Sequence, residues 1–194
     1  MELMRQFPDK HFELAIVDPP YGIGHSMLSG ASRGSKFNRY TDSVALDEVP
    51  KLAYFQELER VSKNQIIWGA NYFGFRPTKC VLIWDKVQEF SGSDFELAWT
   101  SFDLPAKAFR MSRVEAYTNG KIHPCQKPTE LYRWLLHNYA KPGDKILDTH
   151  LGSGSIAIAC HEKGFDLTGS ELDPDYFAAM QKRLETAMMQ TTLL

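Results

Sequence analysis

Short β-type runs alternate with helix-length amphipathic segments along this chain, and that alternation leaves few architectures open. Strands are expected near Leu14 to Asp18, Gln65 to Gly69, Cys80 to Trp84, Glu96 to Ser101, Lys145 to Thr149 and Asp166 to Ser170. Helices fit between several of them, at Leu46 to Ser62, Thr129 to Tyr139, Ile156 to Lys163 and Asp175 to about Met188. In the first helix Leu52, Phe55, Leu58 and Val61 recur at three-residue steps and are expected to form one buried face. The pattern argues for an α/β fold, a mostly parallel sheet with helices on both faces. Trp84 to Ser101 is expected to be an antiparallel hairpin, because Glu89 to Asp94 is too short for a helical crossover. With 194 residues, 43% of them hydrophobic, one domain with a sizeable core is expected.

At the end of the first strand the chain reads Asp18-Pro19-Pro20-Tyr21. Neither proline has an N–H, so the strand end offers a carboxylate, backbone carbonyls and one aromatic face. An exocyclic amino group on a flat heterocycle carries two donor hydrogens and a π-surface, which is the complement of that arrangement. The suspected substrate is an amino-purine or amino-pyrimidine, although the same four residues taken alone also suit a plain strand stop.

A second constellation lies near the other end. Lys145 to Ser155 reads as a short buried strand, a turn of small residues at Gly152-Ser153-Gly154 and the start of a helix. Glycines let the backbone approach a ligand closely, and the helix that follows presents free N–H groups there. The next strand delivers Glu171 some twenty residues after the turn, where a carboxylate can accept both hydroxyls of a ribose. The third glycine of the dinucleotide fingerprint is lacking, so the turn alone is also compatible with an ordinary strand-to-helix connection.

Together these stretches resemble the S-adenosylmethionine-dependent amino-methyltransferases of DNA, in the permuted group whose catalytic motif precedes the cofactor motif. The resemblance covers nearly all of the chain. Ile66 to Phe73, Trp84-Asp85-Lys86, Glu96-Leu97-Ala98-Trp99 and His123-Pro124-Cys125-Gln126-Lys127-Pro128 look like later blocks of that family, the last being the most specific. The resemblance implies a Rossmann-like methyltransferase domain over residues 1–194. Within it a catalytic half spans about 1–101, a short recognition region about 102–122 and a cofactor-binding half about 123–194. It implies catalytic roles for Asp18, Pro19, Pro20 and Tyr21. It also implies S-adenosylmethionine contacts from Asp148, His150, Gly152, Ser153, Gly154 and Glu171, with Lys127 at the methionine end. Asp18 and the Pro19 carbonyl would accept the amino hydrogens, and Tyr21 would stack on a base rotated out of the duplex.

Asp in the first position of that motif favours adenine N6 in DNA. N4-cytosine or RNA adenine methylation, or a non-catalytic nucleic-acid-binding subunit, are the alternatives. Two departures stand out. The chain begins at Met1 already inside the helix that would follow the family's usual edge strand, and His150 stands where relatives generally carry Phe.

A net charge of −2 opposes nucleic-acid binding, because neutralising phosphates normally calls for a basic surface. The basic residues, however, gather in two places. Arg33, Lys36 and Arg39 sit in the acid-free stretch from Tyr21 to Thr41, while Lys107, Arg110, Arg113 and Lys121 fall in a stretch expected to be irregular. Arg33, Lys36, Arg39, Arg110 and Arg113 are the candidate DNA contacts, and a homodimer could supply more. Cys80, Cys125 and Cys160 lack Cys-x-x-Cys spacing, so neither a disulfide framework nor a metal site is expected. With no signal-peptide pattern and no apolar run of membrane length, an intracellular, cytoplasmic protein is expected.

Overall fold

Six apolar runs foreseen in the sequence become strands, and a seventh completes one sheet in the computed structural model, which describes residues 1–23, 47–87, 93–118, 120–123 and 125–192. The strands are β1 (Phe12–Val17), β2 (Ser62–Trp68), β3 (Leu82–Asp85), β4 (Phe95–Thr100), β5 (Lys107–Arg110), β6 (Lys145–Asp148) and β7 (Asp166–Gly169). Their order across the sheet is β5-β3-β4-β2-β1-β6-β7. β1 pairs in parallel with β2 and β6, β6 with β7, and β3 with β5. β4 alone runs antiparallel, to both β2 and β3, which is the expected hairpin partnership of β3 and β4. The fold is the Rossmann-like arrangement of parallel strands with one reversed strand that the resemblance implied.

That reversal matters for what gathers at the carboxyl edge. The first residues of β4 lie beside the last residues of its neighbours, and in the register Glu96 stands opposite Trp84. Asp18, following β1, emerges at the same edge. Pairing of β1 with β6, at Leu14 with Ile146 and Ala15 with Leu147, sets the Asp-Pro-Pro-Tyr strand directly beside the strand of the glycine turn.

Helices α1 (Glu2–Arg5), α2 (Leu52–Val61), α3 (Arg113–Ala116), α4 (Thr129–Tyr139), α5 (Ser155–Lys163) and α6 (Pro174–Thr192) accompany the strands. Side chains alternate across the pleat of β1. Leu14 and Ile16 enter one core with Ile66, Trp68, Leu131 and Leu135, while Ala15 and Val17 enter a second with Leu58 and Val61. Both faces of β1 are therefore dry, which is why it reads as a continuous apolar run rather than an alternating one. Among the described residues no helix is long and apolar enough to cross a membrane.

Two expectations need correction. β5 falls in the stretch read as irregular; its four residues include Lys107 and Arg110 on a sheet edge, so the apolar signal that marks a strand is nearly absent. The buried face of α2 also departs from the expectation, at Leu52, with Tyr54 in the core instead. Tyr54, Leu58 and Val61 face inward and Phe55 is half-buried, whereas Leu52 is 71% exposed. Strict three-residue steps drift around a helix of 3.6 residues per turn, and the drift carries Leu52 out of the core. Leu58→Ala is accordingly expected to lower stability by about 2–5 kcal/mol in chemical denaturation, and Leu52→Ala to change it by less than about 0.5 kcal/mol.

Candidate functional site

Side chains of opposite charge are drawn out of water at the carboxyl edge of the sheet. Pro19 and Pro20 end the ladder after β1, and Asp18 stays at 12% side-chain exposure. Its oxygens have separate partners: the Tyr21 hydroxyl donates to Oδ1 and Lys127 Nζ donates to Oδ2. Lys127, only 3% exposed, has a second anion 3.1 Å away in Glu96 Oε2. Glu96 Oε1 in turn lies 2.9 Å from Lys86 Nζ, and the ring of Trp68 sits 5.2 Å from the Lys127 ammonium.

Burial pushes the Asp18 carboxyl above its ordinary value, with the Lys127 ammonium opposing. Burial pushes Glu96 up as well, but Lys127 and Lys86 outweigh it and hold that carboxyl at about 2. The Tyr21 hydroxyl is pushed well up, chiefly by burial and then by the Asp18 charge, so it remains a donor.

Gly69 makes room for Tyr21. At the end of β2 its φ is +81°, and a Cβ there would stand 2.3 Å from Tyr21 Cε1. Tyr72, one turn on, stacks on Tyr21 with centroids 4.8 Å apart and planes 15° from parallel. Tyr21, expected to offer a free face to a base, thus already has a ring against it.

The second constellation is the turn after β6. Gly152 and Gly154 take φ values of +50° and +70°, a left-handed region that a side chain resists. A Cβ on Gly154 would also stand 2.2 Å from Met180 Cγ of α6. Glu171, just after β7, accepts the Gly152 N–H at 2.7 Å and the Asp173 N–H at 3.0 Å. Asp148 accepts the His150 N–H at 2.9 Å, and burial pushes its carboxyl up to about 8.

His150 is pushed down to about 4 by burial, so its ring is neutral at pH 7; Nδ1 lies 3.0 Å from Thr149 Oγ1, which also contacts the Tyr54 hydroxyl at 2.7 Å. Ser155 donates to the Lys127 carbonyl at 2.7 Å, joining this turn to the segment that carries the buried lysine. Arg183 of α6 ties down the same corner, donating to the Ser153 carbonyl at 2.7 Å, Ser155 Oγ at 3.0 Å and Thr129 Oγ1 at 3.2 Å.

Both constellations open into one cavity of about 740 Å³. Asp18, Pro19, Pro20 and Tyr21 line it together with Lys127, His150, Gly152, Ser153 and Glu171. Of the remaining sequence candidates, Asp148 is buried beneath the turn and Gly154 caps α5. Arg110 is exposed and pairs with Asp85 at 2.9 Å, while Arg113 opens α3 on the surface; neither lines the cavity. Arg33, Lys36 and Arg39 lie outside the described residues.

Sequence reasoning gave no role to Glu96, Lys86, Gly69, Tyr72 or Arg183. Glu96 and Lys86 stood within quoted blocks, and their one signal was charge at the very ends of apolar strands. Arg183 has none, being one of two adjacent cations on α6, Lys182 and Arg183.

A family model described as DNA methylase matches residues 48–182. YubD of Escherichia coli (strain K12), a methylase in name, is 24% identical over 205 residues, covering 98% of this chain and 90% of its own. Type II methyltransferase M.Cfr9I of Citrobacter freundii is 38% identical over 103 residues, which cover 53% of this chain but only 31% of that relative. Among solved structures, the cytosine-N4-specific PvuII DNA methyltransferase aligns with a TM-score of 0.61 at 14% identity, over 96% of this chain and 86% of that one. TTHA0409 of Thermus thermophilus, in complex with S-adenosyl-L-methionine, aligns with a TM-score of 0.55 at 16% identity, over 96% and 92%.

The Gly69 geometry is directly testable. Gly69→Ala adds a methyl group into the Tyr21 ring and imposes a strained φ, so a loss of about 1–3 kcal/mol is expected in denaturant melts.

Proposed function

This chain belongs to the DNA methylase family, and from that premise we propose that it transfers a methyl group from S-adenosylmethionine to the exocyclic N6 amino group of adenine in DNA. The observation that carries this reading is the shared cavity, with the Asp18 carboxylate on one wall and the glycine turn on the other. Its volume, about 740 Å³, falls within the range of small-molecule pockets.

The residues present suit the cofactor. Gly152 and Gly154 leave the backbone bare, so a ligand can approach the N-terminus of α5 closely. Glu171 uses each carboxylate oxygen for one backbone N–H, and each keeps a lone pair for a ribose hydroxyl. Lys127, proposed for the methionine end of the ligand, lines the cavity and also has its ammonium bound to Asp18 and Glu96, which supports a second task in holding the carboxylate. When bound, S-adenosylmethionine supplies an electrophilic methyl group on a positively charged sulfur.

The chain's own residues prepare the other partner. An aromatic amino group is a poor nucleophile because its lone pair is delocalised into the ring. Asp18 and the Pro19 carbonyl each accept one amino hydrogen, which localises that lone pair and tilts the nitrogen towards tetrahedral geometry. As positive charge grows on nitrogen, the Asp18 carboxylate stabilises it, and the methylated nitrogen then releases one proton to solvent to become neutral. Tyr21 and Lys127 fix both Asp18 oxygens, so the carboxylate is set before the base arrives. A base stacking on Tyr21 uses the ring surface left by Tyr72 or displaces Tyr72.

The target reading rests on Asp as the first residue of the motif. Mass analysis of nucleosides from DNA and RNA incubated with the protein and labelled donor is expected to find N6-methyladenine in DNA. N4-methylcytosine or methylated RNA adenosine alone would overturn the target, and no methylated nucleoside would overturn the activity. Variants then separate the two walls. Asp18→Ala is expected to cost more than about a hundredfold in turnover while cofactor affinity by calorimetry is nearly intact. Gly152→Val and Glu171→Ala are expected to weaken cofactor binding; unchanged affinity in both would place the cofactor elsewhere.

A further inference from the structure

Four side chains of alternating charge run from the candidate catalytic carboxylate across the sheet edge: Asp18, Lys127, Glu96 and Lys86. Lys127 Nζ donates to Asp18 Oδ2 and lies 3.1 Å from Glu96 Oε2, whose other oxygen lies 2.9 Å from Lys86 Nζ. Their formal charges cancel, and side-chain exposure is 3% for Lys127, 11% for Lys86, 12% for Asp18 and 26% for Glu96. Four elements supply the row: the strand end after β1, the segment before α4, the start of β4 and the residue after β3. Glu96 reaches it only because β4 runs against its neighbours.

We infer that Glu96 is a positioning residue for methyl transfer: by sharing the Lys127 ammonium with Asp18, it sets how tightly that ammonium grips the carboxylate that must receive the target amino group. The inference rests on the role given to Asp18 above. With no second anion, Lys127 would give its whole charge to Asp18 and compete with the incoming amino hydrogens for the same oxygens. With Glu96 pulling from the other side, Asp18 keeps accepting capacity for the substrate. Lys86 neutralises the far oxygen of Glu96, so the row brings no net charge into the buried edge.

The sign of the effect can be read in the pH dependence of turnover, because only the ionised Asp18 carries the charge that stabilises the developing positive nitrogen, and activity falls as pH drops through its folded value. Facing it are the Tyr21 hydroxyl, the Lys127 ammonium and Glu96, and the Cys125 thiol is near enough to feel its charge. Asp148 of β6, Tyr54 of α2 and Tyr132 of α4 also feel its charge. The hydroxyls are pushed up, Cys125 is pushed up to about 12 and Asp148 to about 8, all mainly by burial, so every one of these is neutral in the acid range. His123 and His150, which line the cavity, are held down to about 4 by burial; saturating cofactor removes any effect of theirs on cofactor affinity, and the comparison of each variant with the wild type, which keeps both histidines, cancels their own titration.

Glu96→Gln removes a negative charge near Asp18 and is expected to move the acid limb of kcat to lower pH. Lys86→Met leaves the row one negative charge in excess and is expected to move it to higher pH. The Glu96→Gln displacement should be about one pH unit or more, the scale for one charge a few ångströms away at an effective dielectric of about 20, and the Lys86→Met displacement smaller, because Lys86 stands beyond Glu96 in the row. A merely structural role for Glu96 lowers kcat or stability without displacing the limb in opposite directions. Limbs that stay in place, or move the same way in both variants, overturn the inference.

If Glu96→Gln does not fold, as judged by circular dichroism, Lys86→Met decides alone: an upward shift supports the inference and an unmoved limb refutes it. A wild-type chain that methylates no nucleic acid sinks the reading of Asp18 and this inference with it. An active wild type with unmoved limbs sinks this inference only.

Discussion

The buried contact between Lys127 and Asp18 is the interaction around which the rest of the molecule is arranged. Neither charge tolerates the apolar interior alone, since each loses several kcal/mol of hydration on burial. The pair survives there because further groups share the load: the Tyr21 hydroxyl on one side, Glu96 and the Trp68 ring on the other. Lys127 and Asp18 are 109 residues apart in sequence, so the contact forms only once β1 and β6 lie side by side and the segment before α4 packs over their ends. Stability and the proposed chemistry are thus tied to one point of the fold.

The Tyr21 surroundings show a related economy. One hydroxyl orients the carboxylate, and the same ring is fixed by a glycine beneath it and a tyrosine stacked upon it. On the proposed reading a base meets an acceptor and an aromatic wall that are already held in place, and Tyr72, 43% exposed, is the neighbour it would share or displace. Preorganisation of this kind is how a site avoids reorganising while charge develops.

Much of this is legible in the chain itself, and the limits have physical causes. Apolar runs such as Leu14 to Val17 announce strands because both faces of β1 are dry. The glycines at 152 and 154 announce a turn because only they accept its φ values without strain. β5 was invisible because an edge strand of four residues with a cation at each end carries no apolar signal. Leu52 lies off the buried face because a three-residue step only approximates a helical turn. The motif around Lys127 does not disclose its ion partners, which are set by two distant strands, because sequence spacing says nothing of contacts that tertiary packing creates. Glu96 was hidden for the same reason: its place at the site follows from the reversed direction of β4.

Arg183 has a bearing that reaches past the turn it holds. Its guanidinium joins the last helix to the Ser153 carbonyl, Ser155 and Thr129, so the final helix and the ligand-facing corner share one set of hydrogen bonds. Whatever steadies that corner must steady the helix, and fraying of the helix must loosen the corner by the same free energy, since linkage is reciprocal. Amide exchange along α6 would therefore report occupancy of a pocket that most of its residues never touch.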